Sequence, residues 1–186
     1  MTKITAIIPT FNEESNIQRA LDSVAFADEI IVIDSFSTDK TVEIVKKSNA
    51  VLLQRTFDDF STQKNYAIQQ AKNEWIFLLD ADEEITESLQ KEIQSKVEKP
   101  NSLNAFYVYR NFFFKQKKIR FSGWQRDKVI RLFKKGFNSY EGKVHEKIIT
   151  NGEVGFLKGK LNHYSYKNYN QYKKKLDHYA QLQAAE

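Results

Sequence analysis

Apolar residues along the first hundred positions follow two alternating rhythms. Short unbroken runs, Ile4-Thr5-Ala6-Ile7-Ile8-Pro9, Glu29-Ile30-Ile31-Val32-Ile33 and Trp75-Ile76-Phe77-Leu78-Leu79, are rich in β-branched and aliphatic side chains. They predict strands over residues 3–9, 29–34 and 74–79. Between them, apolar positions recur every three or four residues. Ile17, Ala20, Leu21 and Val24 form one set, Val42, Ile44 and Val45 another, and Leu89, Ile93 and Val97 a third. Each set marks a helix with one buried face, and the last helix stops before Pro100. Ser37, Thr38 and Asp39 supply N-cap residue types ahead of the second helix. A short strand over 50–54 and a helix over 62–72 complete the series. Nearly continuous apolar strands separated by helices imply an α/β fold whose central sheet is mostly parallel and covered on both faces.

After Pro100 the pattern changes. Residues 104–135 interleave aromatic and basic side chains and predict antiparallel strands or a hairpin, with a further strand from Lys128 to Lys134 ended by Lys135-Gly136. From Asn168 onward, Tyr169, Tyr172, Leu176 and Tyr179 are spaced as one helix face, and the chain stops at Glu186 without a C-cap signal, as a fragment cut in or just after a helix would. The expectation is one domain in two halves, residues 1–100 and 101–186.

With 186 residues, one domain with a substantial core is the default. No apolar run approaches the ~20 residues needed to span a bilayer, and no signal peptide is visible. The absence of cysteine excludes disulfides and thiolate metal sites and fits a cytoplasmic protein. A formal charge of +5 favours anionic partners such as nucleotides, phosphates or an acidic lipid surface.

The chemistry concentrates where the apolar runs end. Asp80-Ala81-Asp82 places two carboxylates one residue apart, a hard oxygen-donor pair suited to Mg²⁺ or Mn²⁺, ions that keep waters and bind substrate phosphates as well. Asp34 ends a second run, and Thr10-Phe11-Asn12-Glu13 follows a third. Open α/β sheets bind ligands at such strand ends. The alternative is that the acids of 80–84 only cap the following helix. Neither a Walker A sequence nor a Gly-x-Gly-x-x-Gly is present. The aromatic and basic stretch 106–135 suits nucleic acid, a membrane-surface glycolipid or, for any single aromatic, the core. Nucleic acid would leave the acidic strand ends unexplained.

These residues resemble a known family. Ile7-Ile8-Pro9-Thr10-Phe11-Asn12-Glu13-Glu14 is similar to the opening strand and loop of the family 2 glycosyltransferases. Val32 through Thr41 resembles their second signature, with Ser35 where a second Asp often stands. Gln63-Lys64-Asn65-Tyr66-Ala67 resembles the helix start that faces the nucleotide, and Phe77 through Glu83 the metal motif. Ser122-Gly123-Trp124, Arg131-Leu132-Phe133, Val144-His145-Glu146 and His163-Tyr164-Ser165-Tyr166 resemble the bacterial lipopolysaccharide-core glucosyltransferase subgroup.

The resemblance implies a GT-A fold and a metal-dependent, inverting transfer of a sugar from a nucleotide donor, UDP favoured, to a saccharide or glycolipid acceptor of the cell envelope. It implies a Mn²⁺ or Mg²⁺ cofactor on Asp82 and Asp80, and Asp34 on the base with Thr10 and Glu13 beside it. Lys64 would lie near the diphosphate. Pro9, Asn12, Ser35, Asn65, Ala81, Arg131 and His145 complete the substrate-binding set. Glu146 is the expected general base, with His145 orienting it or touching the metal or diphosphate, and Asp127 is the second candidate. His163 is expected to be a hydrogen-bonded structural histidine. The expected setting is cytoplasmic, with peripheral contact at the inner membrane face. A non-catalytic nucleotide- or anionic-glycan-binding module is the rival reading.

Overall fold

The computed structural model describes residues 2–99, 103–115, 117–121, 127–142, 146–166, 169 and 173. Most of the predicted helix after Asn168, the Ser122-Gly123-Trp124 stretch and His145 lie outside these residues. In chain order the elements are β1 (Ile4–Thr10), α1 (Ile17–Ser23), β2 (Glu29–Asp34), α2 (Thr41–Lys46), β3 (Val51–Gln54), α3 (Phe60–Gln70), β4 (Trp75–Leu78) and β5 (Glu83–Ile85). There follow α4 (Glu87–Glu98), β6 (Ala105–Phe114), β7 (Lys117–Lys118), β8 (Lys128–Lys134), β9 (Asn138–Glu141), β10 (Lys147–Thr150) and β11 (Val154–Tyr166).

Among the described residues, eight strands form one sheet in the order β3-β2-β1-β4-β8-β6-β11-β5, with β7 added to β6, and β9 and β10 make a separate hairpin. Strands β3, β2, β1 and β4 run parallel, as their unbroken apolar runs require. The predicted antiparallel strands join the same sheet: β8 pairs antiparallel with both β4 and β6. Beyond them β11 lies parallel to β6 and antiparallel to β5. The residues after Pro100 thus extend the sheet built by the first hundred.

Side chains alternate between two cores. Ile8 and Phe77 join Ile17, Leu89, Phe106 and Leu132 on one face. Their neighbours Ile7 and Ile76 join Ala67, Ile68 and Phe133 on the other. Successive strand residues point to opposite faces, so a strand covered on both sides must be apolar throughout. Full burial of a side chain such as Phe77 stabilises the fold by about 1.5–3 kcal/mol.

Local chemistry sets the element ends. Helix α3 begins two residues before its predicted start because Asp59 accepts the Thr62 N–H at 2.7 Å. Thr86, rather than Asp80 or Asp82, is the N-cap of α4, and β5 separates the carboxylate pair from that helix. The capping explanation of the pair therefore falls. Pairing of β1 with β4 ends at Ile7 and Leu78, whereas β1 stays with β2 as far as Thr10 and Asp34. Pro9 sits in that unpaired margin, where a missing N–H breaks no ladder bond to β4. The strands part there and leave a crevice at their carboxyl ends.

Strand β11 approaches α4 so closely that a Cβ at Gly159 would lie 2.5 Å from Leu89 Cα and 2.8 Å from its backbone nitrogen. A backbone obstacle cannot rotate away. Gly159→Val should lower stability by about 1–3 kcal/mol in urea denaturation; an unchanged midpoint would show that β11 does not seat on α4 in this way.

Candidate active site

The loops after β1 and β2 are fastened to each other by polar side chains. Asn12, at φ 54°, adopts the left-handed conformation that Asn tolerates. Its Oδ1 accepts the Thr38 N–H at 2.8 Å, and its own N–H donates to Ser37 Oγ at 2.8 Å. Glu13 N–H donates to Thr41 Oγ1, and Glu14 N–H to Asp39. Asp34 is fully buried; it accepts the Ser37 N–H at 2.9 Å, the Ser37 hydroxyl and Gln54 Nε2 at 3.1 Å. Ser35 accepts from Gln63 Nε2. Thr10, 5% exposed, has a buried hydroxyl with no hydrogen-bond partner among the described residues.

A line of alternating charges runs from the crevice into the second half of the sheet. Arg131, 4% exposed on β8, donates to Asp80 Oδ2 and, at 2.8 Å, to Glu83 Oε1. Glu83 is fully buried and lies 3.6 Å from Arg110 on β6, which in turn donates to Asp127 from Nε at 2.6 Å. Burial alone would raise the Asp80 pKa. The charges of Arg131 and Lys64 outweigh it and hold the carboxyl well below the usual range. Burial opposes the charge on Arg131 too, but Asp80 and Glu83 keep it a guanidinium.

Asp82 meets His163 of β11, with Nε2 3.3 Å from Oδ2, and its backbone carbonyl accepts the Tyr164 N–H. Burial would depress the imidazole pKa, but the Asp82 charge and hydrogen bond raise it above the ordinary histidine value. Opposite, buried Lys64 donates to Glu146 Oε1 at 2.5 Å and lies over the Tyr140 ring, 5.0 Å from its centroid. Burial opposes its charge, and Asp80, Tyr140 and Glu146 together raise its pKa despite that. Glu146 therefore partners Lys64, not its sequence neighbour Lys147. Asn65 is engaged at both ends by the Tyr140 backbone, at 2.8 and 2.9 Å, and anchors β9 to α3.

Folding thus brings Thr10, Asp34 and Ser35 together at the ends of β1 and β2, sets Arg131 and the Lys64–Glu146 pair beside Asp80, and places Asp82 on His163. Ala81 is buried beneath the turn, and Pro9 marks the parting of the strands. Asn12 and Glu13 shape the loop, while Asp127 stands apart on Arg110. His163 is hydrogen-bonded to Asp82, as expected of a structural histidine, and Glu83, Arg110 and Gln63 enter the site beyond the residues expected to line it. Glu83 looks like one more helix-capping acid until β5 carries it inward, and a three-residue strand offers too little alternation to reveal that.

The donor set suits a divalent ion shared with a phosphate-bearing substrate. Among the described residues Arg131 bonds to Oδ2 of Asp80, and Asp82 stands two positions on. Among the described residues no group of three or more His, Cys, Asp and Glu side chains could hold a metal ion. Two carboxylates with remaining positions for water and phosphate match Mg²⁺ or Mn²⁺ better than a metal caged by protein.

The topology, with its acidic strand ends at the crevice, defines a GT-A-like α/β protein. The chain belongs to the family described as glycosyl transferase family 2, whose model matches residues 5–165. It is 33% identical over 202 residues to an uncharacterized glycosyltransferase of Rickettsia typhi, covering 99% of this chain and 68% of that protein. It is 25% identical over 169 residues to the lipopolysaccharide core biosynthesis glycosyltransferase LpsC of Rhizobium meliloti, covering 87% and 63%. The crystal structure of S. aureus TarS 1-349 in complex with UDP-GlcNAc matches with a TM-score of 0.51 and 25% identity, over 60% of this chain and 35% of that one. The chain therefore spans only part of each of these proteins. Among the described residues no helix is long and apolar enough to cross a membrane.

Glu83 is the middle charge of the buried line, so Glu83→Gln leaves two arginines with one carboxylate fewer between them. Stability should fall by about 3–5 kcal/mol in chemical denaturation; a loss below about 1 kcal/mol would mean that solvent already screens the network.

Proposed function

We propose that this chain transfers a sugar, with inversion and metal assistance, from a nucleotide-diphospho-sugar to a saccharide acceptor that is lipid-linked. The observation that carries the reading is that buried Lys64, paired with Glu146, lies beside Asp80 in the turn that follows β4 and also holds Asp82. UDP is the favoured nucleotide, supported by the likeness to TarS in complex with UDP-GlcNAc. A lipopolysaccharide-core or other cell-envelope acceptor is supported by the likeness to LpsC. A cytoplasmic setting, with contact at the inner membrane face, belongs to the same proposal and rests on the cysteine-free composition and the basic aromatic stretch after Pro100. Residues 1–100 would hold the donor and residues 101–186 the acceptor.

In this reading Thr10, Asp34 and Ser35 form the nucleoside side of the site, with Thr10 offering the hydroxyl that has no partner among the described residues. Asp82 and Asp80 would hold Mn²⁺ or Mg²⁺, which when bound supplies Lewis-acid stabilisation of the charge on the departing diphosphate. Arg131 keeps Asp80 ionised and oriented for that task. Lys64, a buried cation beside Asp80, is the group within the site that meets diphosphate charge. Glu146 takes the proton of the acceptor hydroxyl as its oxygen bonds to the anomeric carbon and the bond to the diphosphate breaks. Attack from the face opposite the leaving group inverts the configuration. The Lys64 ion pair holds Glu146 in place.

Calorimetric titration with UDP, GDP, CDP and dTDP, each with and without Mn²⁺, should show metal-dependent binding of UDP that Asp82→Ala abolishes. Failure of the folded wild type to bind any of them would sink the donor-site reading. Glu146→Gln should lower kcat by a factor of about 10²–10⁴ with UDP affinity retained, the signature of lost general-base help. Parallel losses of kcat and UDP affinity would instead make Glu146 a structural partner of Lys64.

A further inference from the structure

A cleft of about 410 Å³ opens beside the charge line, lined by Arg110, Phe112, Lys118, Arg120, Phe121 and Lys160 among others. Arg110 is neutralised from within by Asp127 and Glu83. The other three cations differ, for no carboxylate among the described residues pairs with Lys118, Arg120 or Lys160. From Asn111 to Arg126 the sequence holds five lysines and arginines and no acidic residue. Cations brought together without counter-charge raise the local concentration of anions. Apolar surface accompanies them, because Phe112 forms part of the wall and Phe121 is 98% exposed.

The cleft is connected to the reaction centre by short contacts. The Phe112 ring packs against His163 with centroids 5.1 Å apart, and His163 touches Asp82. Arg110 reaches Glu83, which shares Arg131 with Asp80. A molecule in the cleft would therefore lie on the acceptor side, one layer of side chains from the paired carboxylates. Its volume suits a small saccharide. Aromatic faces offer contact to sugar C–H groups, while lysine and arginine hold an anionic substituent through charge-assisted hydrogen bonds.

We infer that this cleft binds the acceptor, and that the acceptor saccharide carries a phosphate or carboxylate group held by Lys118, Arg120 and Lys160. The acceptor role rests on the glycosyl-transfer reading above; the binding of an anionic sugar does not. Glucose 6-phosphate and glucose serve as probes, titrated into the full chain saturated with UDP and Mn²⁺ so that phosphate cannot occupy the donor site. Glucose 6-phosphate should bind and uncharged glucose should not over the same range. The double variant Lys118→Ala/Arg120→Ala, changed at exposed positions, should bind glucose 6-phosphate about tenfold more weakly while its UDP affinity stays the same. Rising salt should weaken wild-type binding of the phosphate sugar. Equal binding of both sugars, or unchanged binding by the variant, overturns the inference even where UDP binding stands. Sedimentation with phosphatidylglycerol vesicles separates the two sources of anion. Vesicle binding lost in the variant, with glucose 6-phosphate affinity unchanged, overturns the inference in favour of a membrane contact. Absence of UDP binding with the expected sugar result would fail the donor reading alone.

Discussion

A guanidinium as deeply buried as Arg131 is tolerable only if carboxylates come with it, and that requirement ties the two halves of the chain together. Arg131 belongs to β8, whereas Asp80 and Glu83 flank the turn after β4. The sheet pairing of β4 with β8 brings them within reach. Desolvation of each charge is offset only while its partners remain in place. The network therefore holds the Asp80-Ala81-Asp82 turn in one orientation and keeps Asp80 ionised. A carboxylate pair on an unsupported turn would not be held in one orientation.

The same economy of partners shapes the rest of the crevice. Asn12, Ser37, Asp39 and Thr41 fasten the first two strand-end loops to each other, beyond the point where Thr10 and Asp34 pair at the ends of β1 and β2. On the far side, Asn65 holds the backbone of β9 and so sets Tyr140 beside Lys64. Lys64 then holds Glu146 from a segment 82 residues later. Asp80, Asp82, Lys64 and Glu146 are thus each met by a polar side chain from a distant part of the chain. The proposed acceptor cleft follows the other pattern, with cations left without carboxylates among the described residues and open to a ligand.

Much of the fold was legible because both faces of the sheet are covered. That constraint writes itself into the sequence as unbroken apolar strands and one-faced helices, and the structure places β1, β2, β4, α1 and α4 where those patterns predicted. The strand-end acids were legible for a related reason: a carboxylate that ends a buried strand stands out against its surroundings. Boundaries shifted where a cap intervened, as Asp59 does for α3. The partners of the acids were not legible. Nothing near Glu146 in the sequence points to Lys64, and Glu83 looks like its acidic neighbours until β5 turns it inward.

By itself, the sequence determined the alternation of strands and helices, the cysteine-free and basic composition, and the cluster of acids at strand ends, since each follows from local spacing and side-chain chemistry. Only the tertiary structure decided which charges meet. It joined β8 to β4, so that Arg131 binds Asp80. It set β11 against β5, so that His163 reaches Asp82. It also left Lys118, Arg120 and Lys160 facing one cleft. Ion pairs act over a few ångströms whatever the separation along the chain, and only the pairing of strands and the packing of helices on them set those distances.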